Sequence, residues 1–251
     1  MQRVLVTAGA SGIGLAIATA FHASGARVYI CDIDATALQR AAAALPGLIT
    51  RRCSIGDRAD TIAMVGDATA KLGGIDVLVN NAGIGGPTAP VQELEPSDWD
   101  AVLRVNLTGA FDVTRAAVPE LIRAGRGVII NMASAAGRFG YANRSAYAAS
   151  KWALIGLTKT LSMELGQHHI RVNAIAPGAV AGERADRVFQ GRARLSGRSV
   201  EEEMRLGLAS QSIQELVDPA DIAALAVYLA SDAAKSISGQ VLPIDGDLQR
   251  A

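Results

Sequence analysis

Short apolar runs punctuate the chain at Val4 to Thr7, Arg27 to Cys31, Leu48 to Cys53, Ile75 to Val79, Gly127 to Met132, Arg171 to Ile175 and Val241 to Ile244. Most are continuous instead of alternating, which predicts strands buried on both faces of a parallel sheet. Between them, apolar residues spaced three and four apart predict helices over Gly12 to Ser24, Ala35 to Ala44, Arg58 to Leu72, Ser97 to Ala124, Ala146 to Gln167 and Pro219 to Ala230. Two helix starts carry capping signals: Ser97 with Asp100 three residues on, and Asp218 followed by Pro219. Strand and helix alternate, so the expected fold is α/β, a doubly wound parallel seven-stranded sheet with helices on both faces. Ligands are then expected beyond the carboxyl ends of the strands.

One stretch breaks the rhythm. From Gly182 to Glu215 the sequence is polar, charged and only weakly helical, with no strand. An excursion of that length inside a compact domain points to a functional lid or to disorder. The 251 residues, 26 of them glycine, show no linker, so a single domain over 1–251 with a lid at about 182–215 is expected.

Charge narrows the function classes. With 24 basic and 24 acidic side chains there is no overall field to attract nucleic acid or an anionic membrane. Basic character is local, and Gly178 to Arg198 holds five arginines against two acids. The apolar runs are too short to span a bilayer and the N-terminus enters a strand-like run directly, so a soluble, cytoplasmic protein is expected. Cys31 and Cys53 sit in apolar surroundings and read as buried thiols in a reducing compartment. His22, His168 and His169 lack metal-ligand spacing, so no metal site is expected.

The first strand runs into Thr-Ala-Gly-Ala-Ser-Gly-Ile-Gly, Thr7 to Gly14, and then into a helix. Glycines at such a turn let backbone amides approach a pyrophosphate at the helix N-terminus, which makes the architecture Rossmann-type. The second strand ends at Asp32, 18 residues after Gly14. A carboxylate there can accept from a ribose diol and repels a 2′-phosphate, predicting NAD as cofactor. The competing reading of this acid is a solvated loop residue or, with Asp34, a helix cap.

Tyr147 and Lys151 stand four apart at the start of a long helix, so the ammonium lies near the phenol and favours its ionised form. Ser134 closes the fifth strand, where it can hold a substrate oxygen. Together they form a general acid/base device for an alcohol or carbonyl oxygen beside a hydride carrier. The chain resembles the short-chain dehydrogenase/reductase family over essentially its whole length. The resemblance is carried by the Thr7–Gly14 loop, Asn80 to Gly83, Asn106 in Arg-Val-Asn-Leu-Thr-Gly, Ser134, Tyr147 with Lys151, and Pro177-Gly178. It implies catalytic roles for Asn106, Ser134, Tyr147 and Lys151, with Asn106 anchoring a water that links Lys151 to solvent. It implies cofactor contacts from Gly9, Ser11, Gly12, Ile13, Gly14, Asp32, Ser54, Ile55, Asn81, Ala82, Gly83, Tyr147, Lys151, Pro177, Gly178 and Val180. It also implies a homotetramer.

Three positions depart from the family pattern. Ala8 replaces the first loop glycine, Ser54 replaces an aspartate that touches adenine, and Gly182 stands where a threonine usually contacts the nicotinamide carboxamide. The apolar residues expected at the active edge are Met132, Phe139, Trp152, Val180 and Phe189. Arg138, Arg144, Arg184 and Arg187 are the expected grips for an anionic substrate, since guanidinium recognises carboxylate, sulfonate or phosphate in a bidentate fashion. The alternative is that most of the lid arginines are solvated or pair with Glu183, Asp186 and the Glu201–Glu203 run. The leading function is an NAD-dependent oxidoreductase interconverting a secondary alcohol and a ketone, with a small-molecule partner. A ketone or 3-oxoacyl reductase using NAD(P)H, and a catalytically silent NAD-binding sensor or scaffold, are the alternatives.

Overall fold

The computed structural model describes residues 1–249. Its seven strands, β1 (Arg3–Thr7), β2 (Arg27–Asp32), β3 (Ile49–Arg52), β4 (Val77–Asn80), β5 (Gly127–Met132), β6 (Ile170–Pro177) and β7 (Val241–Ile244), form one sheet in the order β3-β2-β1-β4-β5-β6-β7. Every pairing is parallel. The chain runs outward from β1 to β3, then crosses back to β4 beside β1, so the strand order reverses there. That reversal opens a crevice at the carboxyl edge between β1 and β4.

Successive residues of a strand feed opposite cores, as the pleat requires. Val4, Val6, Val28, Ile30, Val77, Val79, Val128 and Ile130 pack with Ile17 and Phe21 of α1 (Gly12–Ala23), Leu38 of α2 (Ala35–Ala44) and Ile222, Ala226 and Leu229 of α9 (Pro219–Ala230). Leu5, Tyr29, Leu78 and Ile129 face the other way, against Met64 and Leu72 of α3 (Arg58–Leu72) and Val113 and Leu121 of α5 (Ala110–Ala124). These side chains are almost fully buried, each contributing roughly 1.5–3 kcal/mol of transfer free energy.

The helix expected over Ser97 to Ala124 runs without interruption from Pro96 to Ala124, but widens into a π turn at Arg104–Gly109 between α4 (Pro96–Leu103) and α5. Gly109 ends the wide turn at the point where Ile55 packs against the helix, since a Cβ there would collide with Ile55. The expected Ser97 cap is also displaced. Pro96 takes the first helical position and the Glu95 carbonyl receives the first bonds, so Ser97 lies inside the first turn and makes no cap. Asp218 does cap α9, accepting from the Ala220 amide at 2.8 Å. The long helix α6 spans Ser145–Leu165, and the 182–215 excursion folds into α7 (Glu183–Ser196) and α8 (Val200–Leu208). No helix among the described residues is long and apolar enough to cross a membrane.

Candidate active site

The β1–α1 loop builds the first wall. Ala8 adopts φ +49°, a left-handed conformation in which a Cβ costs on the order of 1 kcal/mol, so the departure from glycine is tolerated at the expense of strain. Its carbonyl accepts from Asn81 Nδ2 at 2.9 Å, and a Cβ on Gly14 would strike that same oxygen. The turn is tied to the β4 loop at a second point, where the amides of Asn81 and Ala82 both donate to Thr7 Oγ1 at 3.0 Å. Asp34, Asp57, Ser199 and Asp218 cap α2, α3, α8 and α9 with their side chains. By contrast, Ser11 makes no side-chain cap and the first turn of α1 holds no acid. The leading amides of α1 are thus left for an anion at the positive end of the helix dipole, and Gly12, Ile13 and Gly14 line the cleft.

Asp32 ends β2 half-buried. Its Oδ2 accepts from the Ala10 amide and its Oδ1 from the Asp34 amide, both at 3.1 Å, and each oxygen keeps a lone pair for a further donor. Ser54 donates its amide to Asp60 Oδ2 at 2.9 Å, a bond that holds the Asp60 carboxyl below the usual range. The carboxylate nearest Ser54 is therefore committed to backbone and to Arg51. Ile55 is buried beneath Gly109.

The π turn carries Asn106 into the interior. Its Oδ1 accepts from the Ile84 amide at 2.7 Å, and its Nδ2 donates to the Ile84 carbonyl and to Ser150 Oγ, each at 3.0 Å. Ser150 Oγ in turn donates to the Tyr147 carbonyl at 2.7 Å. The β4 loop, the π turn and the first turn of α6 are thereby locked together. Gly83 lies under this junction, where a Cβ would stand 3.2 Å from Asn106 Oδ1 and 3.5 Å from Lys151 Nζ.

Lys151 is 3% exposed and donates Nζ to the Met132 carbonyl at 2.7 Å. Burial, with a smaller push from the like charge of Arg184, lowers its ammonium from 10.5 to about 7. Its Nζ lies 5.6 Å from the centre of the Tyr147 ring. Ser134 Oγ accepts from the Ala136 amide at 3.1 Å, leaving its own proton free to donate. Ser134, Tyr147 and Lys151 share one cleft of about 490 Å³ with Gly12 to Gly14 and Asn81. A phenol, a serine hydroxyl and a buried amine at the end of a groove with uncapped amides can move a proton on an oxygen held beside a dinucleotide.

Pro177 ends β6, and Gly178 packs so tightly on β7 that a Cβ would come 2.9 Å from the Asp245 Cα. Val180 follows on the cleft wall. Gly182 has φ +125° and ψ 177°, a region essentially reserved for glycine. The missing threonine thus has a backbone cause: the chain turns into α7 through a conformation that a Cβ disfavours. Met132, Phe139 and Phe189 line the cleft as expected. Trp152 does not, because it points outward from α6 and is 51% exposed.

The four expected arginines separate. Arg138 pairs with Asp245 at 2.7 Å and is not among the lining residues. Arg187 lines the rim and pairs with Glu183 one turn back, and Arg198 joins Glu202 and Glu203, so part of the cluster is a charged helix face. Arg184 reaches the Gly83 carbonyl, while Arg144 is buried with its guanidinium 5.3 Å from the Tyr147 ring. Arg192, absent from the sequence expectation, also lines the cleft and donates to Tyr141 Oη at 2.8 Å. Nothing local marks it, since its partner comes from the β5–α6 connection.

Residues 2–193 match the family model described as short chain dehydrogenase. D-threitol dehydrogenase of Mycolicibacterium smegmatis is 38% identical over 246 residues, covering 96% of this chain and 90% of that protein. A crystal structure of an F189W actinorhodin polyketide ketoreductase with NADPH superposes with a TM-score of 0.95 at 32% identity, covering 100% of this chain and 98% of the other. An NAD+-bound xylitol dehydrogenase gives 0.93 at 32% identity, with 97% of each chain covered. This chain is an oxidoreductase of the alcohol–ketone couple and belongs to the short-chain dehydrogenase family.

Proposed function

We propose that the protein oxidises a secondary alcohol to a ketone with NAD as its cofactor, Tyr147 acting as the base. The observation that carries this reading is the meeting of Ser134, Tyr147 and Lys151 in one cleft that also holds the uncapped first turn of α1, with Asp32 held beside the same loop through the Ala10 amide. The pyrophosphate would lie against Gly9, Ser11, Gly12, Ile13 and Gly14, and the adenosine ribose against Asp32. Ser54 and Ile55 would border the adenine, and Asn81, Ala82, Gly83, Pro177, Gly178 and Val180 would flank the nicotinamide half. When bound, the nicotinamide supplies the hydride acceptor at the carbinol carbon.

Ser134 Oγ donates to the substrate oxygen and orients it towards the phenol. The Tyr147 oxygen, acting as the base, takes the hydroxyl proton as the C–H electron pair leaves, so the substrate departs as a ketone. Lys151, brought near neutrality by burial, can accept at Nζ the proton that Tyr147 has taken and pass it towards solvent, which returns the phenol to its basic form after each turnover. Asn106 acts at one remove, fixing the turn of α6 that presents Tyr147. The α7–α8 excursion serves as the lid over the substrate end. Phe111, Trp152 and Met163 expose apolar surface on α5 and α6, which supports self-association through these helices; the proposed assembly is a homotetramer, and the proposed location the cytoplasm.

A reductase using NADPH is the second reading. It is favoured by Arg52, which pairs in register with Asp32 across β2 and β3 and donates Nε to the Ile33 carbonyl at 3.2 Å, placing a guanidinium next to the proposed ribose residue. Turnover by Tyr147→Phe decides the chemistry. A fall in kcat/KM of about 10²–10⁴ with NAD binding unchanged is expected, and undiminished turnover would exclude Tyr147 as the base.

A further inference from the structure

We propose that the lid end of the cleft is an oxyanion subsite: the substrate is a secondary alcohol bearing a carboxylate, sulfonate or phosphate away from the reacting carbon, with Arg192 as the principal grip and Arg144 as its buried companion. The inference deepens the dehydrogenase reading and rests on it for the reacting end of the substrate.

Charge in the cleft is unbalanced. Its lining holds Arg144, Lys151, Arg184, Arg187 and Arg192 against a single acid, Glu183, whose side chain is 92% exposed and already paired with Arg187. None of the ion pairs among the described residues involves Arg144, Arg184 or Arg192; the acid that Arg192 feels is Glu203 on α8, whose Oε1 is taken up by Ser196 and Arg198. Of these, Arg144 is buried, and a buried guanidinium without an acid carries a desolvation cost that an entering anion offsets.

Arg192 is held in place for that task. Its NH2 donates to Tyr141 Oη at 2.8 Å, and its guanidinium lies 5.2 Å from the Tyr141 ring centre and 5.6 Å from that of Phe189. Gly207 on α8 leaves the room, since a Cβ there would stand 3.0 Å from Arg192 NH1. Two aromatic faces and one hydroxyl therefore fix the planar fork while most of its N–H groups remain for a ligand.

Arg144 approaches the same Tyr141 ring, with its guanidinium 5.8 Å from the centre. Only 6% exposed, it donates NH2 to the Gly85 carbonyl and NH1 to Thr88 Oγ1, and its Nε is left without a partner. Burial and the like charges of Arg192 and Arg184 lower its pKa. An oxyanion beside Tyr141 would relieve that repulsion, and it would lie within reach of the end of the cleft where Tyr147 stands. Arg184, bonded to the Gly83 carbonyl, belongs to the cofactor side and is not assigned to the subsite.

The test compares kcat/KM for 3-hydroxybutyrate and its methyl ester in the wild type, Arg192→Met and Arg192→Lys, with malonate titrated calorimetrically into the enzyme in the presence of NAD. The acid is expected to exceed the ester by tenfold or more, chiefly through KM. The ratio should fall towards one in Arg192→Met and recover in part in Arg192→Lys. Malonate binding should weaken at least tenfold in Arg192→Met. A ratio at or below one in the wild type, or one unaltered by Arg192→Met, overturns the subsite while leaving the dehydrogenase reading intact. Should neither compound be oxidised, the dehydrogenase reading carries the failure and malonate decides: binding that depends on Arg192 upholds the subsite, and equal binding in both proteins overturns it.

Discussion

Lys151 couples the active site to stability in a direction that can be worked out. Its ammonium titrates near 7 in the folded protein against 10.5 when unperturbed. Between those values the unfolded chain carries a proton that the folded chain has given up, so stability rises with pH across the window and is level with respect to this group below about 7. The rise is up to about 1.4 kcal/mol per pH unit, with a ceiling of about 5 kcal/mol for the whole displacement. The hydrogen bond to the Met132 carbonyl survives in either state, because a neutral amine still donates. Urea denaturation of the cofactor-free enzyme at pH 7.5, 8.5 and 9.5, for the wild type and Lys151→Met, isolates the effect as a difference of differences. The wild type is expected to gain about 2 kcal/mol on the variant over that range. Parallel curves would mean that Lys151 is hydrated and that the buried-amine account of the site is wrong.

Asp32→Ser removes the carboxylate at the end of β2 and should weaken NAD, read as KM, by about 10- to 100-fold, the worth of a charge-assisted bond. NADP should become usable at the same time, and an unchanged ratio of kcat/KM for the two cofactors would refute the ribose role. Gly182→Ala places a Cβ at φ +125° and should cost about 1–2 kcal/mol, measured as a lower urea midpoint. Gly182→Thr should lose as much despite restoring the family's usual residue, and an unmoved midpoint in both would show that the turn is not strained.

The strands and the placing of Tyr147 beside Lys151 were legible because their signals are local. A run such as Val77 to Val79 can be buried on both faces only in a covered sheet, and Tyr147 and Lys151 face the same way simply by helical spacing. The π turn was not legible, since helix-compatible residues continue through Arg104 to Gly109 and the close packing of Ile55 on Gly109 comes from another loop. Gly182 read as a lost side chain until its dihedrals showed a backbone requirement. The arginines divided for the same reason. The Arg187 pair with Glu183 follows from a four-residue spacing, whereas Arg192 acquires meaning only when Tyr141 and Gly207 are folded against it.

The lid leaves and rejoins the sheet at almost one point. Val217 donates its amide to the Ala179 carbonyl at 2.8 Å and Ala181 donates to Val217 at 3.0 Å, so Val180 and Val217 form a single parallel bridge across the mouth of the excursion. The two ends are thus stapled independently of what lies between them, and the closure entropy of the intervening chain grows only slowly with its length. Residues 182–216 can consequently vary in length with little cost to closure, provided that Arg184, which bears on Lys151 and reaches the Gly83 carbonyl, and the bonds of Ser210 to Ile213 with the C-terminal loop are kept. A lid of different charge between those fixed points would redirect the cleft to another alcohol.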